Sequence, residues 1–189
     1  NILFCHEMFH YWQDSLGHIP RTYNNAHMDD KDARILLKLE WNAFLSACKT
    51  RDSLLRRTAI CDGLTFRKQR QQEYNQYYQD EIAFEVHEGL AQYTGIKLFA
   101  SSDSMYLKIL DEEKESYMQR ENLVRNYAYL SGAIIGYLLD QKTNEWRKQV
   151  DGNSDLGAML QKTYQIDLPT DKGRHIQHRA KFYGYESIL

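Results

Sequence analysis

The chain has 189 residues with two prolines, ten glycines and 13% aromatics, which excludes a disordered or loop-rich scaffold. A net charge of -2 excludes a nucleic-acid partner held by bulk charge. The longest apolar run, residues 129–139, contains Ser131 and is far too short to span a bilayer, so no transmembrane segment is predicted.

Apolar residues at 3, 4, 8 and 12 predict an amphipathic helix over about 2–15, ended by Gly17 and Pro20. Asp29 or Asp30 is the predicted cap of a second helix carried by Ile35, Leu36, Leu39, Phe44 and Leu45. A third helical run starts near Asp52 and extends to about Tyr78, broken or bent near Gly63. A fourth runs over 80–93 and stops at Gly95, and a charged helix covers 105–121. Residues 123–140 form an apolar helix whose Gly132, Ala133 and Gly136 allow close packing. Shorter helices fit 144–150, 155–164 and 172–181. No strand-period alternation of useful length occurs, so the fold class is mainly α. Cys5, Cys48 and Cys61 form no CxxC pair and are read as reduced thiols rather than a Cys48–Cys61 bridge. The opening Asn1-Ile2-Leu3-Phe4 already reads as a helical turn, so the chain is expected to be a fragment with any targeting signal upstream.

Residues 6–10 read His-Glu-Met-Phe-His. Histidines four apart on a helix lie about 40° from one another around the axis, so both imidazoles reach one metal ion from the same side. Glu7 points about 100° away from His6, toward the space beside the metal. Zinc accepts imidazole and carboxylate ligands and lowers the pKa of a bound water to about 7, and a carboxylate there can take and return its proton. Leu3, Phe4, Met8 and Phe9 are expected to bury this helix.

Zinc needs a third protein ligand. Glu81, Glu85, Glu88 and Gln92 share one face of the 80–93 helix, and Gly89-Leu90-Ala91 after Glu88 lets that helix approach another. At least one carboxylate is therefore expected to face inward. His87 is a lesser alternative, because adjacent helix positions point about 100° apart. Glu85, one turn before Glu88, is expected to support the metal site from behind.

Glu88-Gly89-Leu90-Ala91-Gln92-Tyr93 resembles the E-G-[FL]-A-x-Y segment of gluzincins, zinc metallopeptidases that include thermolysin-like and aminopeptidase-like groups. The resemblance implies that Glu88 is the third zinc ligand with His6 and His10, and that Glu7 is the general base. The segment between the two motifs is longer than in the aminopeptidases, which implies a helical insertion at about 20–80 within one catalytic domain spanning 1–189. The stretch around Asn126-Tyr127-Ala128-Tyr129 is similar to the one carrying the family's oxyanion-stabilising tyrosine, which matches Tyr129, with Tyr127 behind it. The family's lysine two positions on is Ser131 here.

The expectation is thus a zinc-dependent peptidase acting on a peptide or protein, with the family's substrate-binding β-sheet lying upstream of this chain. A non-catalytic zinc- or peptide-binding module of the same fold is the alternative. The family favours a secreted or cell-envelope location over a cytoplasmic one. His175 and His178 are read as a basic helix end rather than a second metal site. Arg67 and Arg70 are read as binding a substrate carboxylate or, at least as readily, as surface charges or ion partners of Glu81 and Glu85. Trp12, Trp41 and Trp146 are read as core or groove anchors.

Overall fold

A computed structural model of the chain describes residues 1–17 and 22–188. It is mainly α, and no strand occurs among the described residues. The helices are α1 (Ile2–Gln13), α2 (Lys31–Lys49), α3 (Ser53–Glu73), α4 (Tyr78–Phe84), α5 (Leu90–Phe99), α6 (Asp103–Met118), α7 (Tyr127–Asp140), α8 (Leu156–Tyr164), α9 (Lys172–Arg179) and α10 (Tyr185–Ile188). A single π-turn, Glu85–Gly89, joins α4 to α5. Among the described residues no helix is long and apolar enough to cross a membrane.

Local chemistry sets most helix starts. Asp30, Asp52, Ser102, Asp155 and Asp171 each accept a backbone N–H from the first turn of the helix they precede. Gly17 closes the turn after α1 at φ +78°, where a side chain would be strained. Pro20, the other half of the predicted stop, lies outside the described residues.

α7 is the central helix. It is apolar all round, and Ala128, Leu130, Ser131, Ala133, Ile134, Ile135, Leu138 and Leu139 have no exposed surface. α5 crosses it at very close range. A Cβ on Gly132 would lie 2.3 Å from the Gly89 Cα, and one on Gly136 would enter the Tyr93 ring. α2 packs on α7 through Trp41, whose indole N–H donates to the buried Ser131 hydroxyl at 2.7 Å. Trp41, Phe44, Ile60, Ile96, Ile134 and Leu160 belong to one continuous core. The 20–80 segment therefore shares its interior with the rest of the domain.

The structure corrects several expectations. α3 runs unbroken through Gly63, which is needed for space: a Cβ there would lie 2.4 Å from the Phe44 ring. α5 continues past Gly95 to Phe99, and Gly95 instead admits the backbone of α1, since a Cβ would lie 2.8 Å from the Ile2 carbonyl. α1 is not buried by its apolar residues: Leu3, Phe4, Met8, Tyr11 and Trp12 are exposed, and His6 and Gln13 are its buried side chains. Packing mainly on α5 and the elements beside it covers only one stripe of a helix. The three cysteines are free thiols.

A candidate metal centre at the crossing of α1 and the π-turn

Three elements meet where α1 crosses the start of α5 and the first turn of α7. The Gly95 contact brings the α1 backbone against α5, and the Gly89–Gly132 contact brings α7 against the π-turn. His6, His10, Glu88 and Tyr129 gather at this junction. The His6 and His10 Nε2 atoms lie 3.0 Å apart, and each is 3.4 Å from Glu88 Oε2. His6 is 3% exposed, whereas His10 and Glu88 are 22% and 16% exposed, so one side of the cluster opens to solvent.

The protonation of both rings is dictated by their partners. Gln13 donates its amide N–H to the carbonyls of Val86 (3.3 Å) and His87 (2.7 Å), so its oxygen faces His10 Nδ1 at 2.5 Å. Gln92 donates its amide N–H to Glu113 Oε1, so its oxygen faces His6 Nδ1 at 3.2 Å. Both Nδ1 atoms must therefore carry hydrogen, and in the neutral rings both Nε2 atoms present lone pairs. Two lone pairs and a carboxylate oxygen then face one another with no donor between them. Such a triad requires a proton or a metal cation.

The metal-free centre responds as converging acceptors should. Burial alone would raise the Glu88 carboxyl, but the close approach of His10, His6, His87 and Tyr129 outweighs it and holds it far below the usual carboxylate range. The neighbouring Glu88 is the largest influence on His10 and raises its pKa against burial. The spacing is close to that of a small tetrahedral cation. A tetrahedral zinc with ligands at 2.0–2.1 Å has ligand–ligand edges of about 3.3–3.4 Å. Two imidazole nitrogens and one carboxylate oxygen, 3.0–3.4 Å from one another, form a group that could hold a cation of that kind.

The other predicted residues divide. Glu7 is exposed on the solvent side of α1, near enough to raise the pKa of both His10 and Tyr129 by its charge. Tyr129 stacks on His6 with ring centroids 5.3 Å apart and planes 3° from parallel, and its hydroxyl lies near enough to Glu88 to feel that carboxylate. Burial, then Glu88, pushes its phenol well above its usual value. Tyr127 is instead a core residue, donating to the Glu81 carbonyl at 3.0 Å. His87 borders the cluster, with its ring 4.7 Å from that of His10 and its Nδ1 3.2 Å from Glu88 Oε1. The π-turn lets both His87 and Glu88 flank the centre, which regular helix geometry forbids.

Glu85 does not back the cluster. Both its oxygens accept from Arg67, at 2.9 and 2.6 Å, inside a buried network in which Glu40 joins Arg67 to Arg70, and Arg70 and His27 hold Glu81. The expected single stripe of Glu81, Glu85, Glu88 and Gln92 is split by the π-turn. Its extra residue rotates the helix beyond it, leaving the first two for the arginines and the last two for the histidines. The alternative of ion partners for Arg67 and Arg70 is therefore the arrangement found. Three supporting groups, Gln13, Gln92 and Glu113, were not expected from the sequence. Gln13 carried a signal, three residues after His10 on the same helix, and so did Gln92, four after Glu88; Glu113 carried none.

Away from this centre, His175 donates to the buried Asp62 carboxylate at 2.6 Å, beside Arg179 and Tyr183, while His178 is exposed. Trp41 and Trp146 are buried, as core anchors, but Trp12 is 58% exposed. No family model, curated protein or solved structure matches the chain.

Proposed function

We propose that the chain is a zinc-dependent peptide hydrolase that holds its metal with His6, His10 and Glu88. The observation that carries this reading is the convergence of two Nε2 lone pairs and one carboxylate oxygen at 3.0–3.4 Å from one another, open on one side. The gluzincin resemblance of residues 6–10 and 88–93 supports the same reading from the sequence. Bound zinc supplies the Lewis acidity that lets a water lose its proton near neutral pH.

The side chains around it have distinct tasks. Glu7 accepts the proton from that water and returns it to the leaving amine. The Tyr129 hydroxyl, held in place by stacking on His6, turns from Glu88 to the carbonyl oxygen as it gains negative charge, which contributes on the order of 2–4 kcal/mol to the transition state. Gln13 and Gln92 hold the imidazoles in the tautomer a metal requires. The substrate class is a peptide or protein.

The test is metal analysis of purified protein together with cleavage of a fluorogenic peptide library. About one zinc per chain is expected, lost in His6→Ala and Glu88→Ala. Glu7→Gln is expected to keep zinc and lower cleavage by about 10²–10⁴-fold. Zinc without cleavage of any peptide would make the chain a non-catalytic zinc- or peptide-binding module. Absence of zinc affinity would remove the reading altogether.

A further inference from the structure

Glu113 on α6 is a partly buried residue whose Oε2 atom is buried, and no cation among the described residues pairs with it. Its Oε1 accepts from the Gln92 amide, and its Oε2 has no hydrogen-bond partner. Burial pushes its pKa up to about 7. Leaving a buried polar atom unpaired costs about 1–3 kcal/mol, so the arrangement is a poor stabilising device. The buried carboxylates of the Glu40–Arg67–Glu85 and Arg70–Glu81 network, by contrast, are all matched by arginines.

What Glu113 does have is a place at the end of a chain of contacts. Gln92 is itself buried, and its amide has two ends: the nitrogen on Glu113 and the oxygen on His6 Nδ1. An amide held only at its oxygen could flip and offer N–H to the imidazole. The ring would then have to donate through Nε2, which destroys the metal-binding lone pair. An acceptor at the position of Glu113 Oε1 disfavours the flip, which would break the hydrogen bond from the Gln92 amide.

We propose that Glu113 is a positioning residue for the metal centre, acting through Gln92 to fix the tautomer and orientation of His6. This rests on His6 being a metal ligand, and it ties α6, a helix with no ligand of its own, to the affinity of the site. The requirement is for an acceptor rather than for charge.

The experiment measures zinc affinity of the full chain by competition with a chromophoric chelator. Glu113→Ala is expected to weaken zinc by about 10–100-fold, the range for groups that orient a ligand. Glu113→Gln, whose amide oxygen still accepts from Gln92, should restore affinity to within about threefold of the parent. If Gln92 is the intermediary, Gln92→Ala with Glu113→Ala should weaken zinc no more than Gln92→Ala alone. Parental affinity in Glu113→Ala, equal losses in the Ala and Gln variants, or additive losses in the double variant would each overturn the proposal while leaving the ligand set intact. A parent chain without zinc affinity would overturn the ligand set and this proposal together. The cycle through Gln92 keeps the test valid should Glu113→Ala fold poorly.

Discussion

Single side chains at this junction have separable jobs. Glu85 is bound to Arg67 and Glu88 to the histidines, although they sit three positions apart. Removing one member of a buried ion pair leaves its partner uncompensated, at a cost of about 3–5 kcal/mol. Glu85→Ala is therefore expected to destabilise the fold strongly in denaturant titration, while the fraction that folds keeps parental zinc affinity. Lost zinc affinity in folded Glu85→Ala would show that this carboxylate does serve the metal. Glu113 makes a different prediction. In the unfolded chain a glutamic acid ionises near pH 4.3, whereas burial keeps Glu113 protonated up to about pH 7. Between those values the unfolded state binds fewer protons than the folded one, so the contribution of Glu113 to stability falls as pH rises and levels off above 7. Metal-free Glu113→Gln should lose less stability between pH 5 and 8 than the parent in chemical denaturation. Identical pH slopes would mean that Glu113 is not desolvated as described.

At the scale of elements, the centre depends on how closely three helices approach. Gly132 faces Gly89 backbone to backbone, and neither side can yield by turning a side chain. Gly132→Ala must push α7 from the π-turn, which costs about 1–3 kcal/mol as overpacking and carries Tyr129 away from Glu88. The expected outcome is a lower melting temperature together with separation of Tyr129 from Glu88, seen as a shift of the assigned Tyr129 ring resonances in NMR spectra. Unshifted resonances would show that the tyrosine is placed by something other than this crossing. The π-turn itself is held by Gln13, which donates to the Val86 and His87 carbonyls within it. One amide thus joins the helix that carries His6 and His10 to the turn that carries Glu88.

The whole molecule is built around α7, with the His6–His10–Glu88 cluster at one edge and the C-terminal helices at another. α9 and the turn after it are fastened by Asp62, a fully buried carboxylate that accepts from His175, Arg179 and Tyr183. Asp62→Ala leaves those donors without their acceptor and should release residues 172–188 by local unfolding, read as lost amide protection there with zinc affinity unchanged. Protection retained across that segment would mean that the Ile35, Leu39, Phe66 and Tyr183 cluster suffices to hold it.

Helix class, caps and the motif pair were legible in the chain because they depend on neighbours within a few residues. Asp30 and Asp52 cap because they precede apolar-periodic runs, and His6 and His10 share a face because 3.6 residues make a turn. The meeting of Glu88 with the histidines was an expectation from motif resemblance, and the fold brings them together. Three things belonged to the tertiary structure alone. The π-turn divides an acidic stripe that helix periodicity treats as one, and α1 leaves its apolar face uncovered because the elements packed beside it shield one stripe. Glu113 reaches His6 only through an amide on a third helix. No local pattern encodes these outcomes, because each is fixed by how closely separate helices can pack.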